Sequence, residues 1–149
     1  MELINKEGYR EFTIVETYEA GVKLTGPEVK AIRDNRLVFQ GSFIKFMNKE
    51  LYWINAEIPQ YKFAHLDDYD PKRTRKILLK KHEMVRLQSK IKEHPGLTII
   101  PLKCYTKNSF LKLEIALSKG KKAYEVKSVE KNRDIKRHEK QAAKEYLKK

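Results

Sequence analysis

The order of apolar and polar positions along the chain predicts a body of short strands carrying two helices. Residues 11–18 (EFTIVETY) are rich in β-branched and aromatic side chains and read as a strand. Ala20-Gly21 marks a turn, and Val22–Leu24 a second short strand. In Thr25-Gly26-Pro27-Glu28 the proline sits where a first helical turn tolerates it. Val29, Ile32 and Arg33 follow at helical spacing, so 27–34 reads as a short helix. Residues 37–47 (LVFQGSFIKFM) alternate as a strand, with Gly41 at a bulge. Asn48-Lys49 turns the chain, and Leu51–Ile58 returns with Trp53. Residues 59–70 hold Pro59 and three aspartates and read as a loop.

Asp70-Pro71 looks like an N-cap followed by proline at the first helical position. Residues 72–93 then set Ile77, Leu78, Met84, Val85, Leu87 and Ile91 along one face of an amphipathic helix. His94-Pro95-Gly96 stops it. Leu97–Tyr105 is a strand and Asn108-Ser109 a turn. In 110–117, Leu111, Leu113, Ile115 and Leu117 alternate with Lys112 and Glu114, a strand apolar on one face and wet on the other. From Lys119 onward large apolar side chains become sparse. The expected organisation is therefore mostly β with minor α: a folded body, 1–118, and a basic C-terminal tail, 119–149, disordered or partly helical until bound. Six or seven short antiparallel strands remove their edges most simply by forming a closed or part-closed barrel, here with two flanking helices.

Charge sharpens this picture. The chain has 149 residues with 33 Lys+Arg and 20 Asp+Glu, a net charge of +13. Residues 1–71 hold 9 bases and 12 acids, whereas 72–94 hold 9 and 2, and 119–149 hold 12 and 5. Two concentrated basic blocks point to two binding surfaces for a polyanion, nucleic acid first among them. The single cysteine, Cys104, excludes a disulfide within the chain and a cysteine-rich zinc site. No apolar run is long enough for a membrane helix, and MELINKEGYREF has no secretory apolar core. A cytoplasmic protein without a membrane partner is expected.

Catalytic signals are weak. His65, His82, His94 and His138 are scattered over a loop, a helix, a turn and the tail, without metal-binding spacing. Asp67, Asp68 and Asp70 would suit a Mg²⁺-dependent ribonuclease, but they equally suit a solvated loop and a helix cap. No phosphate-cradling glycine motif is present. No enzyme, metal or cofactor is expected. Binding signals are stronger. Lys72, Arg73, Arg75 and Lys76 open the expected helix, with Lys80 and Lys81 one turn on, where bases and first-turn N–H groups would meet phosphates. Lys119-Gly120-Lys121-Lys122 forms a second basic knot after the last strand. Tyr61, Phe63, Tyr105 and Phe110 lie near these blocks as candidate stacking residues, though each singly also suits a core.

Three longer segments carry a resemblance. Thr17-Tyr18-Glu19-Ala20-Gly21-Val22-Lys23-Leu24-Thr25-Gly26-Pro27-Glu28-Val29-Lys30 resembles the hallmark segment of the SsrA-binding (SmpB) family. Asp70 through Leu79 is similar to its second signature. Pro101-Leu102-Lys103, Tyr105, Lys107-Asn108 and Ala116-Leu117 through Gly120-Lys121-Lys122 are similar to its third. The resemblance implies an oligonucleotide-binding-type barrel and a non-catalytic factor that binds the tRNA-like domain of transfer-messenger RNA. Such a factor delivers that RNA, with elongation factor Tu, to the A site of a stalled ribosome for trans-translation. The family's RNA-binding positions fall on Glu19, Leu78 and Lys112, and its basic stretch at the barrel exit on Lys119, Gly120, Lys121 and Lys122. Its tail, which enters the decoding centre and mRNA channel, falls on Tyr124, Lys127, Arg133, Lys136 and Arg137. The chain departs from the family's basic N-terminal stretch, reading Asn5-Lys6-Glu7-Gly8-Tyr9-Arg10. A basic ribosomal protein with general affinity for structured RNA is the alternative.

Overall fold

The computed structural model of the chain describes residues 1–121. Its elements are β1 (Glu2–Ile4), α1 (Lys6–Glu11), β2 (Phe12–Val22), α2 (Gly26–Arg33), β3 (Phe43–Met47), β4 (Glu50–Ile54), β5 (Arg75–Leu78), α3 (Lys81–Glu93), β6 (Leu97–Lys107) and β7 (Phe110–Gly120). The strands join in the order β1-β6-β3-β4-β5-β2-β7, and β7 pairs back onto β6. Every pairing is antiparallel. Six strands therefore close a ring. The seventh, β1, lies on β6, which meets β3 at Ile99 and β1 at Lys103–Tyr105 along the same strand.

Alternation fills the inside of the ring. Leu51 and Trp53 of β4, Ile77 of β5, Ile99 of β6, and Leu113, Ile115 and Leu117 of β7 are all buried in one core. Burying each such side chain stabilises the fold by about 1.5–3 kcal/mol. Two helices stop the ends of the barrel. Ala31 and Ile32 of α2, and Leu87 of α3, join the same core. β2 leads into α2 and β5 into α3. Because β2 and β5 run antiparallel, these helices leave toward opposite ends. α2 is held at its start by a capping box, in which Thr25 and Glu28 accept each other's backbone N–H, worth about 1 kcal/mol.

Several elements differ from the sequence pattern. The described residues contain three helices rather than two, because α1 forms at the N-terminus. Asn5 caps it by accepting from the Gly8 N–H, and donates through Nδ2 to the Pro101 carbonyl at 2.7 Å. α1 lies by the outer face of β6 and β7, where Tyr9, Phe12 and Ile14 pack on Ile100, Leu102 and Ala116. Ala20-Gly21 is not a turn; β2 runs straight through it. The expected strand at 37–47 is interrupted. Gly41 takes a positive φ of 77° in the turn that the Ser42 N–H closes onto the Phe39 carbonyl. The returning strand breaks at Asn55, also at positive φ.

The largest correction lies at 72–93. Its first part is β5, and α3 begins only at Lys81. Asp70 caps a turn instead of a helix: its carboxylate accepts from the Lys72 N–H at 2.9 Å. β5 does alternate, but Arg75 fills one of its two inward positions, so polarity disguised the period. At the other end, β7 runs two residues past the expected body boundary, to Gly120.

Candidate nucleic-acid interface

The three residues singled out as RNA-binding come from three separate segments, and the barrel brings them together. Gly21 of β2 is the Cα partner of Leu78 on β5 and of Lys112 on β7. Glu19 lies two residues before Gly21 and so projects from the same outer face. Leu78 and Glu19 are exposed. Gly21 presents bare backbone between the flanking Leu78 and Lys112 side chains. Leu78 is 49% exposed, one of several large apolar side chains that the described residues leave at the surface, and it stands beside Gly21 on this face.

The wall continues across β7 onto β6. Lys112 faces Tyr105 in register, and Glu114 faces Lys103. Lys103, Tyr105 and Lys107 follow at i, i+2 and i+4, as outward positions of one strand must. Tyr105 donates its hydroxyl hydrogen to Glu19, and the Lys107 ammonium reaches both Glu19 oxygens at 3.2 and 3.3 Å. The Tyr105 hydroxyl above all, and then Lys107 and the charge of Lys112, lower the Glu19 carboxyl from its ordinary value against the opposing effect of burial. Lys103 pairs with Glu114 at 3.4 Å and stands 5.4 Å from the Tyr105 ring centre. Burial and the Glu19 carboxylate raise the Tyr105 phenol far above its usual value, so it keeps its proton at any working pH. The Lys112 ammonium lies close enough to Glu19 to help lower that carboxyl, but no side-chain hydrogen bond among the described residues holds it, which leaves its N–H groups for a phosphate.

Other expected contacts land elsewhere. Arg75 is fully buried and cannot reach RNA. Its Nε donates to Glu28 at 2.6 Å, Nη1 to the Ala56 carbonyl and Nη2 to the Pro71 carbonyl. Arg73 is half-exposed but is also tied to Glu28, at 2.6 Å. Glu28 is 1% exposed. Burial alone would raise its pKa; Arg73, the Thr25 N–H and Arg75 together outweigh that and lower it. Lys72 is exposed in the turn before β5. Lys76 stands outward beside Leu78's strand and pairs with Glu50 at 3.1 Å. Lys119 and Gly120 belong to the end of β7, paired with Thr13 and Phe12. Lys119 lies seven residues from Lys112, roughly 24 Å along the strand. The Lys121 N–H donates to the Glu11 carbonyl. Lys122, Tyr124, Lys127, Arg133, Lys136 and Arg137 lie outside the described residues.

Asp67, Asp68 and Asp70 border a cleft of about 760 Å³ between the start of α2 and residues 65–70. Among the described residues no group of three or more His, Cys, Asp or Glu side chains is placed to hold a metal ion. Cys104 is buried, which pushes its thiol up to about 12 and leaves it un-ionised. Lys103 and Lys107 join this wall without standing out by charge. Their signal is the i, i+2, i+4 alternation of β6, which continues two residues past the expected strand end at Tyr105, to Lys107.

A closed antiparallel barrel with lysines, a tyrosine and an exposed leucine on one outer wall makes this a small β-barrel protein of the kind that presents basic side chains to a polyanion. The family is specific. The family model described as SmpB protein matches residues 3–145, and the chain belongs to the SmpB family. The SsrA-binding protein of Thermosipho africanus (strain TCF52B) is 46% identical over 134 residues, covering 89% of each chain. That of Thermosipho melanesiensis (strain DSM 12029 / CIP 104789 / BI429) is 45% identical over 145 residues, 97% of this chain and 95% of its own. A chain from a solved structure presented as "tmRNA-SmpB: a journey to the center of the bacterial ribosome" superimposes with a TM-score of 0.67. It is 40% identical, covering 95% of this chain and 96% of that one.

Proposed function

We propose that this protein binds the tRNA-like domain of transfer-messenger RNA on the β2–β7–β6 wall and delivers it to the A site of stalled ribosomes. The observation that carries this is convergence: Glu19, Leu78 and Lys112, from three separate sequence segments, meet at outward positions around Gly21. The protein acts by binding and positioning, not by catalysis, in the cytoplasm where ribosomes work. Elongation factor Tu takes part in the delivery. Residues 119–149 serve the ribosome: Tyr124, Lys127, Arg133, Lys136 and Arg137 engage the decoding centre and mRNA channel. Lys119, Gly120, Lys121 and Lys122 add basic charge to the RNA-binding surface where the barrel ends, with Lys119 and Gly120 at the far end of β7 from Lys112.

Two measurements test the reading. Affinity for transfer-messenger RNA should exceed that for an unrelated structured RNA of equal length by about 100-fold, or about 2.7 kcal/mol. Equal affinities would favour a general ribosomal RNA-binding protein. Ending the chain after residue 122 should leave that affinity intact and abolish tagging of stalled peptides. Normal tagging by the shortened chain would remove the role given to the tail.

A further inference from the structure

An acid at the centre of an RNA-binding wall is electrostatically adverse, because phosphates repel it. The geometry around Glu19 supplies a reason for it. The carboxylate is the shared acceptor of two neighbours from another strand, the Tyr105 hydroxyl and the Lys107 ammonium. A phenol has one hydrogen to donate and lone pairs to accept with. Once that hydrogen is committed to Glu19, the oxygen is left facing outward only as an acceptor. The ring is steadied from the side by Lys103, itself tied to Glu114. An acceptor fixed beside Lys112 and Lys107 matches a ribose 2′-hydroxyl next to its phosphates: the sugar hydroxyl donates, and the ammonium groups meet the phosphate oxygens. The 2′-hydroxyl is the group that separates RNA from DNA.

We propose that Tyr105 reads a ribose 2′-hydroxyl of the bound RNA, with Glu19 as a positioning residue that orients the Tyr105 hydroxyl and Lys107 toward it. This rests on the transfer-messenger RNA reading above. It differs from a role in which Glu19 itself accepts from the RNA. In this arrangement Glu19 acts through Tyr105, and a glutamine in its place still offers Tyr105 an acceptor oxygen.

The experiment compares the full chain's affinity for two chemically synthesised forms of the tRNA-like domain. One has ordinary ribose; the other has 2′-fluoro sugars throughout, which keep the A-form helix but cannot donate. The wild-type protein should lose affinity for the fluorinated RNA. That loss should be about fivefold smaller in Tyr105→Phe, the worth of one neutral hydrogen bond. It should shrink similarly in Glu19→Ala and return to the wild-type value in Glu19→Gln. A penalty unchanged by Tyr105→Phe overturns the reading of the sugar. A penalty changed by Tyr105→Phe but not by Glu19→Ala overturns the positioning role. If none of the variants, nor Lys112→Ala, weakens binding of the ordinary RNA, the wall itself is not the RNA site and the underlying proposal fails instead. Each variant is first matched to wild type by its unfolding midpoint, so that a misfolded protein is not scored.

Discussion

Two carboxylates of the first signature segment, Glu19 and Glu28, each gather two basic or hydroxyl partners from distant strands, and the results are opposite. Glu28, in the first turn of α2, is 1% exposed and ties down Arg73, just before β5, and Arg75 of β5. Glu19 sits in the open and holds Tyr105 and Lys107 on an outer wall. Glu28 thereby removes Arg75 from any ligand, whereas Glu19 keeps its partners exposed and arranged. Counting basic residues in a segment therefore overstates its binding surface. Burial decides which cations a polyanion can meet.

The contrast can be broken most directly through stability. Replacing Glu28 with Ala should destabilise the protein by about 3–5 kcal/mol in urea unfolding, since it leaves the buried Arg75 charge without its acid. Glu19→Ala should cost under about 1 kcal/mol, as exposed pairs do. Equal losses would dissolve the distinction. RNA binding should reverse the order: Glu19→Ala or Lys112→Ala should weaken transfer-messenger RNA binding by about tenfold, or about 1.4 kcal/mol, with unfolding midpoints near wild type. Unchanged affinity in a gel-shift titration for both would count against the wall.

Acid should sharpen the same contrast. The folded pKa of Glu28 lies below its ordinary value of 4.5. Its contribution is thus fully present above that value and is lost as pH falls through the lower folded one. Thermal unfolding from pH 6 down to 3 should therefore decline more steeply for wild type than for Glu28→Gln. Parallel curves would mean that the buried acid is not linked to folding. The smallest effect concerns salt. Lys112→Ala should lower the log–log salt slope of RNA binding by about 0.7–0.9, one phosphate contact. An unchanged slope would mean that Lys112 meets something other than a phosphate.

The legible parts of the molecule were those where side chains obey the usual division of inside and outside. β7 was clear because Leu113, Ile115 and Leu117 alternate with Lys112 and Glu114. Both tight hairpins were clear too, since Asn48-Lys49 and Asn108-Ser109 adopt the positive φ values such turns require. β5 was hidden because an arginine occupies an inward position and a leucine an outward one, which breaks the pattern at two of its four residues. β1 and α1 are too short for periodicity, and depend on Asn5 bonding to β6 nearly a hundred residues away. Within the site, the signature residues were recognisable by resemblance. Their meeting around Gly21 was not, because it depends on strand register. Nor was the bond between Glu19 and Tyr105, which spans the width of β7.

β7 is hydrogen-bonded on both edges for almost its whole length, to β2 on one side and β6 on the other. Such a strand behaves as a beam. Lys112 stands near its start, and Lys119 near its end, where the chain leaves the barrel. The span between the outer wall around Gly21 and the end of β7 is thus a set distance, counted in residues of one stiff element. Lengthening it by two residues would move the exit outward by about 7 Å and keep every face in place, whereas adding one would turn half the wall inside out. The barrel acts as a spacer as well as a surface, and the evolutionary freedom of its middle strand is limited to even steps.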